Sequence, residues 1–329
     1  MSTPVPRKFH VDHDVRPVHV AAVLTHMSPF VGDTRAQLLA DLAADNYTIN
    51  PHHLFWNLKV LRVLGLTDVD EKTELWRLTR RGVYLRALAS WNLPTFHDMM
   101  HYLYYATWDF GDKDAAGFSW TYRTVTNLLW QRRPTVIDGK ALAVEVRELA
   151  EKEFNLESVS ITDYAVDGVY NWLRVLDPVF AWTDTKSRRR ETNGGRVACA
   201  PELFLMAVDY LYRSKSVPYN RPLLIDDEKT NIICRLCLLD PLRWKSMLNR
   251  TIEQFSILHR AGSASGPQLT LERPPRLINW DPAAEQEDVD FDALDDTGLP
   301  RVDDAPADDG VDEDLDDEGD EDDEDDDKE

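Results

Sequence analysis

Two groups of side chains have the types and spacing to bind a polyanion. His52, His53, Asn57 and Lys59 fall within two helical turns, and Lys72, Arg77, Arg80 and Arg81 follow closely. Lys186, Arg188, Arg189, Arg190 and Arg196 form the second group. Asparagine and lysine can read base edges, while the planar fork of arginine suits phosphate. The chemistry on offer is therefore nucleic-acid recognition, chiefly through the backbone. Blander readings stand beside it. Residues 51–64 carry apolar side chains on nearly every side, as a buried helix does, and Asp163 and Asp167 would repel phosphate from the second group. The run beginning at Lys186 fits a backbone grip, a dock for an acidic segment, or an ordinary solvated loop.

Other chemistry finds less support. Cys234 and Cys237 have C-x-x-C spacing but no second pair or neighbouring histidine, whereas a structural zinc needs four ligands, so they read as core. His10, Asp12, His13 and Asp14 cluster near the start of the chain, and no metal or cofactor is expected there. Phosphate-binding glycine loops, G-x-S-x-G and H-E-x-x-H are absent, and the chain reads as non-enzymatic.

The elements that would position these residues follow from local pattern. Helices are predicted over 16–28 and 33–44, the second capped by Asp33. Asn50 followed by Pro51 makes a good helix start, Leu54, Leu58 and Leu61 recur at helical spacing, and Gly65 sits where a C-terminal cap belongs. Strands at 66–69 and 74–79 flank "DEKT", and a closing helix begins at "RRGVYLRALAS". These are the parts of a winged helix. An aromatic-rich helix at 95–109 leads to what reads as the same order again: helices at 118–131, 139–153 and 160–176, a strand at 178–183, a basic turn, and a strand at 196–199. Helices at 201–214, 226–238 and 241–260 precede an extended exit. The expected fold is mainly α with small β-hairpins as wings. It divides into a winged helix-turn-helix over 1–92, a linking helix over 93–117, a second winged unit over 118–200, C-terminal helices over 201–283 and a disordered acidic tail over 284–329.

Charge separates the tail from the rest. The whole chain carries −22, yet from Asp281 onward 27 acidic residues face only Arg301 and Lys328, leaving residues 1–280 at +3. The tail has almost no apolar content with which to offset its ordering entropy, and its carboxylates are placed to compete with phosphate for a basic surface. Hydrophobic residues make up 43% of the chain, enough for sizeable cores, and no run of 18 apolar residues or signal-like leader occurs. A cytoplasmic protein without a membrane partner is the expectation, and three cysteines fit a reducing compartment.

Two resemblances bear on function. "LKVLRVLGLTD…LWRLTRRG", within residues 54–85, resembles winged-helix regulators of the arsenic-repressor and multiple-antibiotic-resistance types. Over residues 9–275 the chain resembles a bacterial family of unknown function linked to phosphoadenosine-phosphosulfate-reductase-like genes in phosphorothioation and phage-defence islands. Phe9 and His10, "LRVLGLTD", "LTRRG", "MMHYLYYATW", "VYNWLRVLDP" and "GPQLTL" carry that likeness, while "YTINPHHLF" replaces the family's glycine-rich run. The resemblance implies a defence-associated binding subunit beside enzymes encoded by its neighbours. Two functions are thus expected: a double-stranded DNA-binding subunit gated by its acidic tail, or a protein-interaction scaffold within a defence or condensin-like complex. A homodimer is compatible with either.

Overall fold

The computed structural model describes residues 9–113, 115–263 and 266–276, so the acidic tail expected over 284–329 lies outside the described residues. Those residues form eleven α-helices and three small antiparallel sheets. None of the helices is long and apolar enough to cross a membrane.

The first unit is built as its local signals dictate. Helix α1 (Pro17–His26) leads to α2 (Arg35–Ala44) and α3 (Pro51–Val63). The Asn50 side chain accepts the His53 N–H at 2.7 Å to start α3, and Gly65, at φ +70°, lets the chain leave it. Strands β1 (Thr67–Asp70) and β2 (Leu75–Leu78) then pair antiparallel, Thr67 opposite Leu78. The Thr79 hydroxyl ends the hairpin twice over, donating to Gly65 O at 2.7 Å and accepting the Gly82 N–H that opens α4 (Arg80–Trp91). Asp33 is not the cap of α2. Thr34 and Gln37 form a capping box there, and Asp33 instead bridges Trp76 of β2 through both backbone hydrogen bonds.

The same order recurs. Helix α6 (Gly117–Arg132) is followed by a bridge of Val136 to Glu191, then α7 (Gly139–Phe154), α8 (Asp163–Leu173), and the pair β3 (Ala181–Thr183) with β4 (Arg190–Thr192). In each unit a single residue after the first helix bridges the second strand of the hairpin. The return strand is 190–192 rather than 196–199, so the hairpin closes earlier than its sequence suggests and leaves Arg196 beyond it.

Between the two units runs α5 (Leu93–Phe110), which packs against α4, α6, α8, α9 (Pro201–Ser214) and α10 (Asp227–Cys237). Every residue from Thr95 to Trp108 is buried. A helix apolar on all sides has no face to give solvent and belongs at the centre. His101 is satisfied in place, contacting the Tyr122 hydroxyl and Leu236 O, each at 2.8 Å. Trp120 and Trp172 are buried beside it, each contributing about 2–3 kcal/mol of apolar burial.

The C-terminal region departs from a run of helices. After a 3-10 turn at Pro241–Arg243, α11 (Trp244–Gln254) stops well short of 260. The expected extended exit is the hairpin β6 (Leu258–Ser263) and β7 (Gly266–Leu271), joined by β5 (Pro222–Leu224) in the order β5-β7-β6. Cys199, Cys234 and Cys237 are free and buried, and burial pushes the Cys234 thiol up to about 12, as unreactive core thiols behave.

Candidate nucleic-acid interface

Burial divides the thirteen candidate residues into those facing solvent and those holding the fold. On α3, His52 is exposed but accepts the Trp56 Nε1–H at 2.9 Å. Lys59 is exposed, with its ammonium 4.7 Å above Phe55 and 5.2 Å from the Trp56 ring. His53 is half-buried, its Nε2 3.4 Å from Asp14 Oδ2. Asn57 is fully buried and donates to His53 O, which removes it from any base edge.

The first hairpin is electrostatically mixed. Lys72 and Arg77 are exposed, but so are Asp68, Asp70, Glu71 and Glu74 around them. Arg77 stands opposite Asp68, and Arg62 spans Asp68 and Glu71 at 3.8 Å each. With Arg35 also 3.9 Å from Glu74, acidic and basic groups balance around this hairpin and give phosphate little net attraction. Arg80 is exposed at the start of α4, while Arg81 turns inward, donating from Nη1 to Leu64 O at 2.9 Å. That bond satisfies a carbonyl at the end of α3, and Arg81 is a structural group rather than a ligand contact.

The second hairpin differs. Lys186, Arg188 and Arg189 are exposed at its tip, and none of them pairs with a carboxylate among the described residues. Asp184 shapes the turn by accepting the Lys186 and Ser187 N–H groups and the Ser187 hydroxyl, which holds its own carboxyl below the usual range. Arg190 is already engaged, paired with Asp167 of α8 and lying 4.8 Å over Tyr170. Thus Asp167, expected to repel phosphate, is neutralised within the unit.

Arg196 is the plainest correction. It is fully buried, with Nη1 2.7 Å from Asp98 Oδ1, while Nε and Nη2 donate to Pro178 O and Asp177 O. Although burial opposes it, the Asp98 carboxylate holds Arg196 protonated above its ordinary pKa. It fastens the chain after the second hairpin to α5 and touches no solvent.

Sequence reading missed one cationic face. Arg243, Lys245, Asn249 and Arg250 are exposed on and before α11, and Arg260 of β6 reaches Asn249 at 3.5 Å. Alternation of these residues with Met247, Leu248 and Thr251, which are buried, is the amphipathic signal that was available.

No family model matches the chain, and no curated protein matches it significantly. Among solved structures, one titled magnesium ion-bound SspB crystal structure is similar in fold, at a TM-score of 0.55 and 10% identity, over 81% of this chain and 84% of that one.

Proposed function

We propose that this chain is a non-enzymatic, double-stranded DNA-binding subunit of a prokaryotic defence or DNA-modification system, built on two winged helices in tandem. The repeated order of helix, bridging residue, two helices and hairpin supports the winged-helix reading of both units. One observation carries the binding: Lys186, Arg188 and Arg189 lie exposed together on the second hairpin, with no close ion pair among the described residues. Cations of this kind grip the phosphate backbone without reading sequence. His52, Lys59 and Arg80 lie exposed on the first unit and add contacts, whereas the first hairpin contributes little. The polyanionic residues after Asp281 compete for the same cations and gate the interaction.

Titration of duplex DNA against the full chain and a chain lacking 284–329 tests this. Binding is expected to weaken steeply with salt, and the shortened chain to bind more tightly. A shortened chain that leaves duplex DNA free at low salt refutes the reading.

A second reading, a protein-interaction scaffold, is favoured by the exposure of Trp91 (61%) and Leu93 (44%) at the α4–α5 junction. Stable co-purification of a partner at moderate salt, with DNA affinity weak even after the tail is removed, would select it.

A further inference from the structure

The chain leaves its last sheet beside the C-terminal end of α11. After β7 the Glu272 N–H still donates to Ile257 O at 3.0 Å, and Pro275 is buried. Arg273 and Arg276 then line one groove with Gln254, the last residue of α11, and with Phe255. The helix reached in this way has a cationic solvent face. Arg243, Lys245 and Arg250 are exposed on and before α11, Arg260 joins them through Asn249, and Arg273 and Arg276 are exposed at the exit. None of these six forms an ion pair among the described residues. Nearby acids are mostly engaged elsewhere. Glu272 pairs with His259 at 2.8 Å, Glu202 accepts from Gln254 at 2.9 Å, and Asp240 accepts the Leu242 N–H at 2.9 Å, while Glu253 is exposed.

We infer that the acidic residues from Asp281 onward dock on this face of α11, a polyanion held by a cationic surface of its own chain. Charge supplies the match, since that segment carries −25 against a body of +3. Reach supplies the place. The five steps from Arg276 to Asp281 span at most about 17 Å, at about 3.3–3.6 Å each. Helix α11 is about 16 Å long at 1.5 Å per residue, so carboxylates arriving at its C-terminal end can reach Arg250 first and Arg243 last. Each exposed pair is weak, but the tether keeps the local carboxylate concentration high and many pairs act together. The second hairpin offers three such cations against six here, and none of its residues lines the exit groove. This docking does not depend on DNA binding, and it closes the α11 face to other polyanions while it lasts.

Carbodiimide coupling of the full chain, which joins an amine to a carboxylate in direct contact, tests this on the monomer. Lys245 should couple to carboxylates beyond Asp281 several-fold more than the exposed Lys140 does. Those links should be lost in about 1 M salt, where screening shortens to about 3 Å. Arg243→Glu with Arg250→Glu, both at exposed positions, should cut the Lys245 yield several-fold. Should that variant fail to fold, phenylglyoxal labelling of the unchanged chain makes the comparison. Arg250 and Arg260 should then react several-fold more slowly at low salt than at high salt, and the exposed Arg174 equally at both. The inference is overturned if Lys245 couples no more than Lys140, if Lys186 on the second hairpin couples most, or if the double substitution leaves the Lys245 yield unchanged. Equal labelling of Arg250 and Arg260 at both salts overturns it as well.

Discussion

Arg196 and Asp98 form an ion pair 2.7 Å long in which both side chains are buried, joining the segment after the second hairpin to the central helix. Removing one member leaves the other charged and desolvated. Arg196→Met is expected to cost about 3–5 kcal/mol in urea unfolding, and the double change Arg196→Met with Asp98→Leu to cost less than the single one. A loss below about 1 kcal/mol for Arg196→Met would show that the pair does not hold the fold.

The division between the hairpins predicts unequal effects on DNA. Arg188→Ala with Arg189→Ala should lower affinity on every duplex and reduce the magnitude of the salt slope by about one per cation lost. Lys72→Ala with Arg77→Ala should change little, since acidic and basic side chains already balance around that pair. Equal losses from both, measured across several salt concentrations, would contradict the assignment.

Gly82 explains its place in "LTRRG" by contact. A Cβ there would lie 1.9 Å from Leu66 O, a backbone atom with no room to retreat. Gly82→Ala should destabilise the protein by about 1–3 kcal/mol or more. Gly194→Ala, where a Cβ meets nothing within 4 Å, should be nearly neutral and serves as the control. Matching melting temperatures for the two would remove this explanation.

Acid should unfold the protein earlier than its carboxylates alone require. Burial lowers His97 to about 4 and His101 to about 3, from 6.5. Below pH 6.5 the unfolded chain therefore takes up protons that the folded one refuses, and stability falls progressively until about pH 4 and 3 respectively. Asp209 works the other way: burial pushes it up to about 6, so folding gains as pH drops from 6 toward 3.8. The two histidines outweigh it at about 1.4 kcal/mol per unit. Tm should drop between pH 6.5 and 4.5, less steeply in His97→Gln; a flat profile would show that these imidazoles are protonated in the folded state.

Much of the architecture is legible in the sequence. Asn50 and Pro51 set the start of α3, Gly65 its end, and the apolar spacing of Leu54, Leu58 and Leu61 its buried face, because caps and periodicity act within a few residues. The first hairpin followed for the same reason. The charge division at Asp281 is likewise a property of composition. Where local signals compete, sequence alone does not decide: Asp33 and Thr34 are both good caps, and the basic turn masks β4, which lies six residues before the strand that the pattern at 196–199 suggests. Only the tertiary structure decided which cations meet solvent. Arg196 and Arg189 look alike in sequence, yet one is buried against a carboxylate 98 residues away and the other stays exposed, with only Asp184 of its own turn nearby. The same holds for His53 and Asp14, separated by 39 residues and brought within 3.4 Å by packing between two units. An ionised side chain takes its role from the charge it finds after the chain has collapsed, and no local window contains that partner.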